Sequence, residues 1–257
     1  MEVFKNIYKY RELLKANVKK EIRGKYKGSF LGIMWSFVNP LLMVLVYAIV
    51  FPYIMRVQQE NYLIFLIAAI IPWTFFTTVI NQGTTTILNN ANLVKKVYFP
   101  REILPISVVV SGLINFFISC LIILLFVILG GVGISWHILF LPFVALVQCV
   151  LSLAIIFVLS AIEIYVKDVE YIVNFILQML FYVTPILYSA DILPSNIGII
   201  LNINPMTHLI NAYRDIFLYH IVPGVRGLFY IFLISLVLLV IGYKIFKKLE
   251  KGFAEEV

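Results

Sequence analysis

The chain has 257 residues, is 62% hydrophobic and only 13% charged, and carries a formal net charge of +7, with a mean hydropathy of +1.01. A soluble domain carries about a quarter charged residues, so this composition excludes a water-soluble globular fold: there is too little polar material to coat its surface. The two cysteines, Cys120 and Cys149, lie in apolar runs and give neither a disulfide framework nor a metal site.

The chain opens on a basic amphipathic stretch. Ile7, Tyr10, Leu14 and Val18 recur at helical spacing between Val3 and Ile22, with lysines and Arg11 filling most of the rest. This predicts a helix lying in the membrane interface, either a simple anchor or a lever that touches a partner. No early apolar core or small-residue cleavage site precedes it, so no signal peptide is expected. The next stretch, "GKYKGSFLGIMWSFVNPLL" from Gly24 to Leu42, sets basic residues hard against the first long apolar run.

Crossing ~30 Å of hydrocarbon takes ~20 apolar residues in a helix. Six runs qualify, at about 32–55, 62–88 (its apolar part ending near Ile80), 103–129, 138–165, 169–187 and 228–246. All must be helical, because hydrocarbon offers no partner for free backbone amides. Seventeen of the twenty lysines and arginines flank these runs on one side, leaving only Arg56, Arg214 and Arg226 on the other. The excess of basic residues in cytoplasmic loops then predicts both termini in the cytoplasm. The positive charge anchors the spans. It does not predict a nucleic-acid partner, since the basic residues have no soluble fold of their own to sit on.

Between spans two and three lies "NNANLVKKVYFPREILP", Asn89 to Pro105, a short basic loop closed by prolines. It predicts a short surface helix stopped by Pro100. Val94, Val97, Tyr98 and Phe99 are apolar residues the adjacent spans do not need. They suit a partner's groove and equally suit the interfacial belt that membranes favour for aromatics.

Spans one and five are rich in aromatics. Span one has Trp35, Phe37, Tyr47 and Phe51. Span five has Tyr171, Phe175, Phe181 and Tyr182, with Tyr188 at its end and Asn174, Gln178 and Thr184 beside them. Tyr171, Phe175 and Tyr182 share one helical face, and Asn174, Gln178 and Phe181 another. Aromatic faces beside uncharged amides suit sugar rings, although a single membrane aromatic is more often lipid-facing or core. Tyr188 to Val225 is too polar for spans and too long for a plain loop. It predicts two short helices on or in the outer leaflet, broken near Pro194 and Pro205, around a vestibule. Arg214 and Asp215 are adjacent, point differently and need not pair.

Ionisable groups near the midplane mark ion-coupled carriers. Here Glu163 comes nearest, and it sits close to the cytoplasmic end of span four, which argues against such a carrier. No phosphate-binding G-x-x-x-x-G-K-[ST] run, H-E-x-x-H or nucleophile elbow occurs. His137, His208 and His220 fall on the outer side as interfacial polar residues.

The order of "YKGSFLGIMWSFVNPLLMVLVYAIVF", "LVKKVYFPREILP", "KDVEYIVNFILQMLFYVTPILYSADILP" and "LNINPMTHLINAYRD" resembles the membrane subunits of ABC-2-type exporters. It resembles in particular the polysaccharide or polyol-phosphate permeases of O-antigen, capsule and teichoic acid pathways. The resemblance implies an all-α membrane protein, with an interface helix in residues 1–28 and an ABC-2-type transmembrane domain in 29–257. Paired re-entrant helices would lie between Asp191 and Pro223. It implies a homodimer in the bacterial cytoplasmic (inner) membrane that works with two copies of a separate ATPase. That partner would hold ATP and Mg, and this chain would be a transport subunit without cofactor or catalytic residues.

The same likeness assigns coupling to the ATPase to Asn92, Leu93, Val94, Lys95, Lys96, Val97, Tyr98, Phe99, Pro100 and Arg101. It assigns glycan-facing positions in a pore to Trp35, Tyr47, Phe51, Tyr171, Phe175, Gln178, Phe181 and Tyr182. The substrate would be a sugar chain on an undecaprenyl pyrophosphate carrier. Arg23, Lys25 and Lys27 would meet the pyrophosphate, besides anchoring the first span. Asn39 and Pro40 would bend that span and shape a lateral entrance. Two other readings remain at this point: export of a small amphiphile or drug, and a polyprenyl-lipid transferase, which would need a reactive acid such as Glu163.

Overall fold

Long apolar runs become long helices here because a helix satisfies its own backbone where water cannot. The structure, a computed structural model, describes residues 2–24, 30, 32–55, 61–190, 201 and 203–256, and no strand occurs among them. In chain order the helices are α1 (Glu2–Lys9), α2 (Arg11–Gly24), α3 (Trp35–Met55), α4 (Tyr62–Thr84), α5 (Thr86–Asn89), α6 (Ala91–Lys96), α7 (Ile103–Leu129), α8 (Leu141–Glu163), α9 (Val169–Val183), α10 (Pro205–Arg214), α11 (Val225–Leu249) and α12 (Phe253–Glu256). Short 3₁₀ turns precede α3 and α8, and a wide π turn, Asp215–Tyr219, continues α10.

Among the described residues, four helical stretches are long and apolar enough to cross a membrane: Tyr62–Thr84, Ile103–Leu129, Trp136–Glu163 and Val225–Gly252. The chain is therefore a multi-pass membrane protein. The other two expected spans are apolar helices of different character. α3 has 21 residues and runs unbroken through Pro40. α9 has 15 residues, about 22 Å at the standard helical rise. It ends at Val183, short of the expected 187. Thr184 turns to extended backbone (ψ 135), as the residue before a proline prefers. The helix expected to continue to 88 is interrupted at Thr85, just after Thr84 turns its hydroxyl onto the Ile80 carbonyl (2.8 Å). The amphipathic N-terminal stretch forms two helices, separated at Tyr10.

α4 is the central post, packing against α3, α7, α8, α9 and α10. Its most apolar window is 78% buried, against 22% for α11, so α11 is peripheral and leans chiefly on α8. Their approach is close because Gly242 has no side chain: a Cβ there would lie 2.7 Å from the Ala154 carbonyl oxygen. Pro72 sits inside α4, and its carbonyl accepts from Gln148 Nε2 at 2.9 Å. Gln148 Oε1 in turn accepts from the Tyr213 hydroxyl at 2.8 Å, so a proline position in α4 is tied through α8 to α10.

A second, smaller apolar cluster lies at the end of the bundle where the basic residues gather, built on Ile87, Val94, Phe99, Leu104, Phe157, Phe246 and Phe253. Ile7, Tyr10, Leu13 and Leu14 rest on it, so part of the apolar face of the N-terminal helices is covered by this chain. The adjoining α2 packs along α7, and Lys20 Nζ donates to Asn90 Oδ1 at 2.7 Å.

Candidate functional site

A groove of about 410 Å³ opens between α3, α4 and α9. α4 and α9 run in opposite directions, because the Tyr62 hydroxyl at the start of α4 donates to the Leu187 carbonyl just past the end of α9 (2.9 Å). Residues late in α4 therefore lie level with residues early in α9. Towards the basic end the groove is lined by Thr77 and Asn81 from α4 and by Asn174 and Gln178 from α9; towards the other end come Trp73, Phe181, Tyr182 and, from α3, Tyr47. Phe181 is the hub of the aromatic part. Its ring centroid lies 5.9 Å from Tyr47, 6.0 Å from Trp73 and 5.3 Å from Tyr182, the last two edge-on.

Four of the eight expected glycan-facing residues thus meet in one groove: Tyr47, Gln178, Phe181 and Tyr182. Tyr171 and Phe175 lie on the exposed face of α9, 74% and 61% accessible, and Trp35 is exposed at the start of α3. None of these three lines the groove. The Phe51 side chain lies outside the described residues, as do Lys25, Lys27 and residues 191–200, including Pro194. Arg23 is exposed at the last turn of α2. The contribution of α4 was not expected from the sequence. Its signal is present, because Trp73, Thr77 and Asn81 fall at i, i+4 and i+8, one stripe of a helix.

Past α9, the turn and bend at Thr184–Leu187 must find partners for carbonyls that no helix satisfies. Arg214 supplies them. Its Nη1 and Nη2 donate to the Pro185 and Ile186 carbonyls, both at 2.7 Å, and its Nε to the Phe65 carbonyl at 3.4 Å. The guanidinium also stacks 3.4 Å from the Phe65 ring centroid. Arg214 is 2% exposed. Burial pushes its guanidinium down to about 9, with Tyr219, Tyr62 and Asp215 holding it up, so it stays a cation at neutral pH. Burial raises the neighbouring Asp215 carboxyl to about 6, and the Arg214 charge opposes that rise. Asn204 caps α10, accepting from Met206 N (3.0 Å) and donating to Thr184 Oγ1 (2.8 Å). The end of α9 is thereby fixed to α10 and to the start of α4.

At the basic end, α6 stops at Lys96, Val97 turns to extended backbone, and residues 97–100 form no regular element. The structure splits the expected coupling residues into two sets. Val94 and Phe99 are buried, at 3% and 5%, in the small apolar cluster, whereas Tyr98 is 97% exposed and Val97 51%. Asn92, Lys95 and Lys96 are exposed. Arg101 turns inward, donating from Nη1 to the Glu250 carbonyl at 2.6 Å. Beside it Glu102, fully buried, receives Lys247 Nζ at 2.6 Å and Asn6 Nδ2 at 3.1 Å. Lys247 also reaches Glu250 at 2.7 Å. Three distant parts of the chain thus close on one another beneath an exposed face of Asn92, Lys95, Lys96, Val97 and Tyr98.

Glu163, the acid nearest the membrane interior, is 2% exposed and accepts from the Glu170 backbone N–H at 2.8 Å. It serves an otherwise free amide in the first turn of α9, which is a structural use.

A family model described as ABC-2 type transporter matches residues 12–218. An O-antigen export system permease protein of Myxococcus xanthus is 35% identical over 259 residues, covering 100% of both chains. A Klebsiella pneumoniae protein of the same description is 32% identical over 249 residues, 95% of this chain and 94% of that one. The polysialic acid transport protein KpsM of Escherichia coli is 23% identical over 245 residues, 91% of this chain and 92% of its own.

Proposed function

The chain belongs to the ABC-2 type transporter family, and from that premise we propose that it is the permease through which a lipid-linked polysaccharide leaves the cell. It is a transport subunit, and its family pairs such subunits with an ABC ATPase. Two copies of this chain and two of the ATPase make up the exporter, which sits in the bacterial cytoplasmic membrane with both termini inside. α3 and α9 are the remaining two of six spans, and the second copy covers their exposed apolar faces. ATP binding draws the ATPases together, the exposed face around Tyr98 follows them, and the helices seated on Glu102 and Lys247 move with it. The pyrophosphate of an undecaprenyl carrier meets Arg23 and the basic residues after it, while the glycan enters the groove.

The observation that carries this reading is the groove itself. Aromatic rings and uncharged amides line one continuous surface between α3, α4 and α9. Rings offer flat apolar faces to sugar C–H groups, and amides offer partners to hydroxyls. The full-length likeness to two O-antigen export permeases supports the same substrate class.

The test is reconstitution. Proteoliposomes holding the permease, its ATPase and an undecaprenyl-linked glycan should expose the glycan on the far leaflet only after ATP is added. Exposure without nucleotide, or full export by the chain without any ATPase, overturns the reading.

A further inference from the structure

Two walls of the groove reach the exposed face around Tyr98 by different routes. α4 reaches it through the chain itself, since α5 and α6 follow directly. α9 has no such link. It packs on α4 and α8 and follows α8 through a short connection, residues 164–168. Glu163 at the end of α8 accepts from the Glu170 N–H in the first turn of α9, so that connection and the start of α9 are held together.

The segment past α11 closes the gap. A 3₁₀ turn at Glu250–Gly252 bends the chain, and Phe253 at the head of α12 is fully buried. Its ring stands edge-on to Phe246 of α11 at 5.4 Å and tilted against Tyr165 of the α8–α9 connection at 6.5 Å. The Arg101 guanidinium carbon lies 5.9 Å from its centroid. Val94 and Phe99 from the loop between α5 and α7, and Ile164 from the α8–α9 connection, are buried in the same apolar cluster. α12 also packs against α6. Hydrogen bonds repeat the pattern on both sides. Arg101 Nη1 donates to the Glu250 carbonyl at 2.6 Å, and its backbone N–H donates to Glu250 Oε1 at 3.3 Å. The Tyr165 hydroxyl donates to the Leu249 carbonyl at 2.9 Å. Val166, Lys167 and Asp168 are exposed, so Ile164 and Tyr165 attach the connection to this segment.

A ring packed on all sides passes displacement on, because a close-packed interior is nearly incompressible. We infer that Phe253 and Tyr165 are positioning residues that carry movement of the exposed face around Tyr98 to α9. A pull on that face moves Arg101 and Val94, the Phe253 ring moves with them, and Tyr165 draws the start of α9 after it. α9 carries Asn174, Gln178, Phe181 and Tyr182 of the groove lining. α4 follows by its own chain link, so the two walls move in step. Without the wedge α4 follows alone, and ATP is hydrolysed without opening the groove. This rests on the export reading and says how the ATPase reaches one wall of the groove.

The experiment uses the permease with its ATPase in proteoliposomes holding an undecaprenyl-linked glycan, and reads glycan exported per ATP hydrolysed. Phe253→Ala should lower that ratio about fivefold while hydrolysis continues, and Phe253→Leu should recover most of it. Tyr165→Phe keeps the ring, loses the bond to Leu249 and should lower the ratio about twofold. A structural role alone reduces the amount of assembled complex and moves hydrolysis and export together, which leaves the ratio where it was. An unchanged ratio in either variant overturns the wedge and leaves the exporter standing. If Phe253→Ala does not assemble, Tyr165→Phe decides by the same ratio. If the unaltered protein exports nothing when ATP is added, the export reading itself falls and takes the wedge with it.

Discussion

Arg214 at one end of the bundle and Glu102 at the other are both buried, and they are held in opposite ways. At one end Arg214 has no carboxylate partner among the described residues; it is held by three backbone carbonyls and one ring face. At the basic end Glu102 is held by a lysine that also serves Glu250 and is one-third exposed. The first arrangement solvates backbone that has left its helix. The second ties sequence-distant elements together at the edge of water. The difference teaches what each end is for: Arg214 fixes the shape of the chain at the end of α9, and the Glu102 cluster joins α1, α7 and α11 where they meet the exposed face around Tyr98.

If that contrast holds, the larger loss belongs to the end without a substitute partner. Arg214→Ala strands the Pro185 and Ile186 carbonyls in a buried site at once. The expected cost is about 3 kcal/mol or more, read as a lower Tm in detergent and as protease cutting between Thr184 and Leu187. Arg214→Lys should recover little, because an ammonium cannot span two carbonyls as a guanidinium fork does. A Tm within a degree or two of the unaltered protein would mean that the carbonyls have other partners.

Glu102→Ala removes the fully buried member of the other cluster, yet Lys247 keeps Glu250 and some water. The expected loss is smaller, about 1–2 kcal/mol. Combining it with Lys247→Ala should cost less than the two single changes added together, which is the signature of a direct pair. Strict additivity would show that the short Lys247–Glu102 contact contributes nothing of its own. Smaller again is Tyr213→Phe. It leaves Gln148 Oε1 without its donor and loosens the tie from α10 to Pro72, for about 1 kcal/mol. Its effect should add to that of Glu102→Ala, since the two sites lie at opposite ends and share no partner.

How far the sequence spoke follows from the same contrast. Ile103–Leu129 was legible to the residue, because an unbroken apolar run between a proline-rich loop and glycines leaves helix boundaries little freedom. The end of α9 was not. The four residues past Val183 are as apolar as the helix, and only the proline at 185 hints at the turn. Arg214 was visible as a charge in a vestibule, but its partners are main-chain oxygens as far as 149 residues away, and a backbone carbonyl carries no residue-type signal. The α4 stripe of Trp73, Thr77 and Asn81 was hidden by its surroundings, since a uniformly apolar helix shows little periodicity. The groove could be found only once α9 was laid against it. Similarly, a six-residue helix such as α6 is too short for periodicity to say which of Val94, Val97, Tyr98 and Phe99 turns inward.

That last ambiguity yields the smallest effect on stability and the cleanest test of what the basic end does. Phe99 is buried against Phe157, Phe246 and their neighbours, so Phe99→Ala opens a cavity and should lower Tm. Tyr98, 97% exposed, supports nothing within this chain, and Tyr98→Ala should leave Tm within about 0.5 kcal/mol of the original. An exposed aromatic flanked by Lys95 and Lys96 has the composition of an interface anchor, and truncating such an anchor costs about 2 kcal/mol of binding. Co-purification with the ATPase should therefore fall by an order of magnitude in Tyr98→Ala while the permease itself remains as stable as before. Unchanged ATPase recovery would place Tyr98 among the membrane-interface aromatics and shift the docking face to Asn92, Lys95 and Lys96. A drop in Tm equal to that of Phe99→Ala would show that Tyr98 belongs to the small cluster, and that the basic end presents no aromatic to a partner at all.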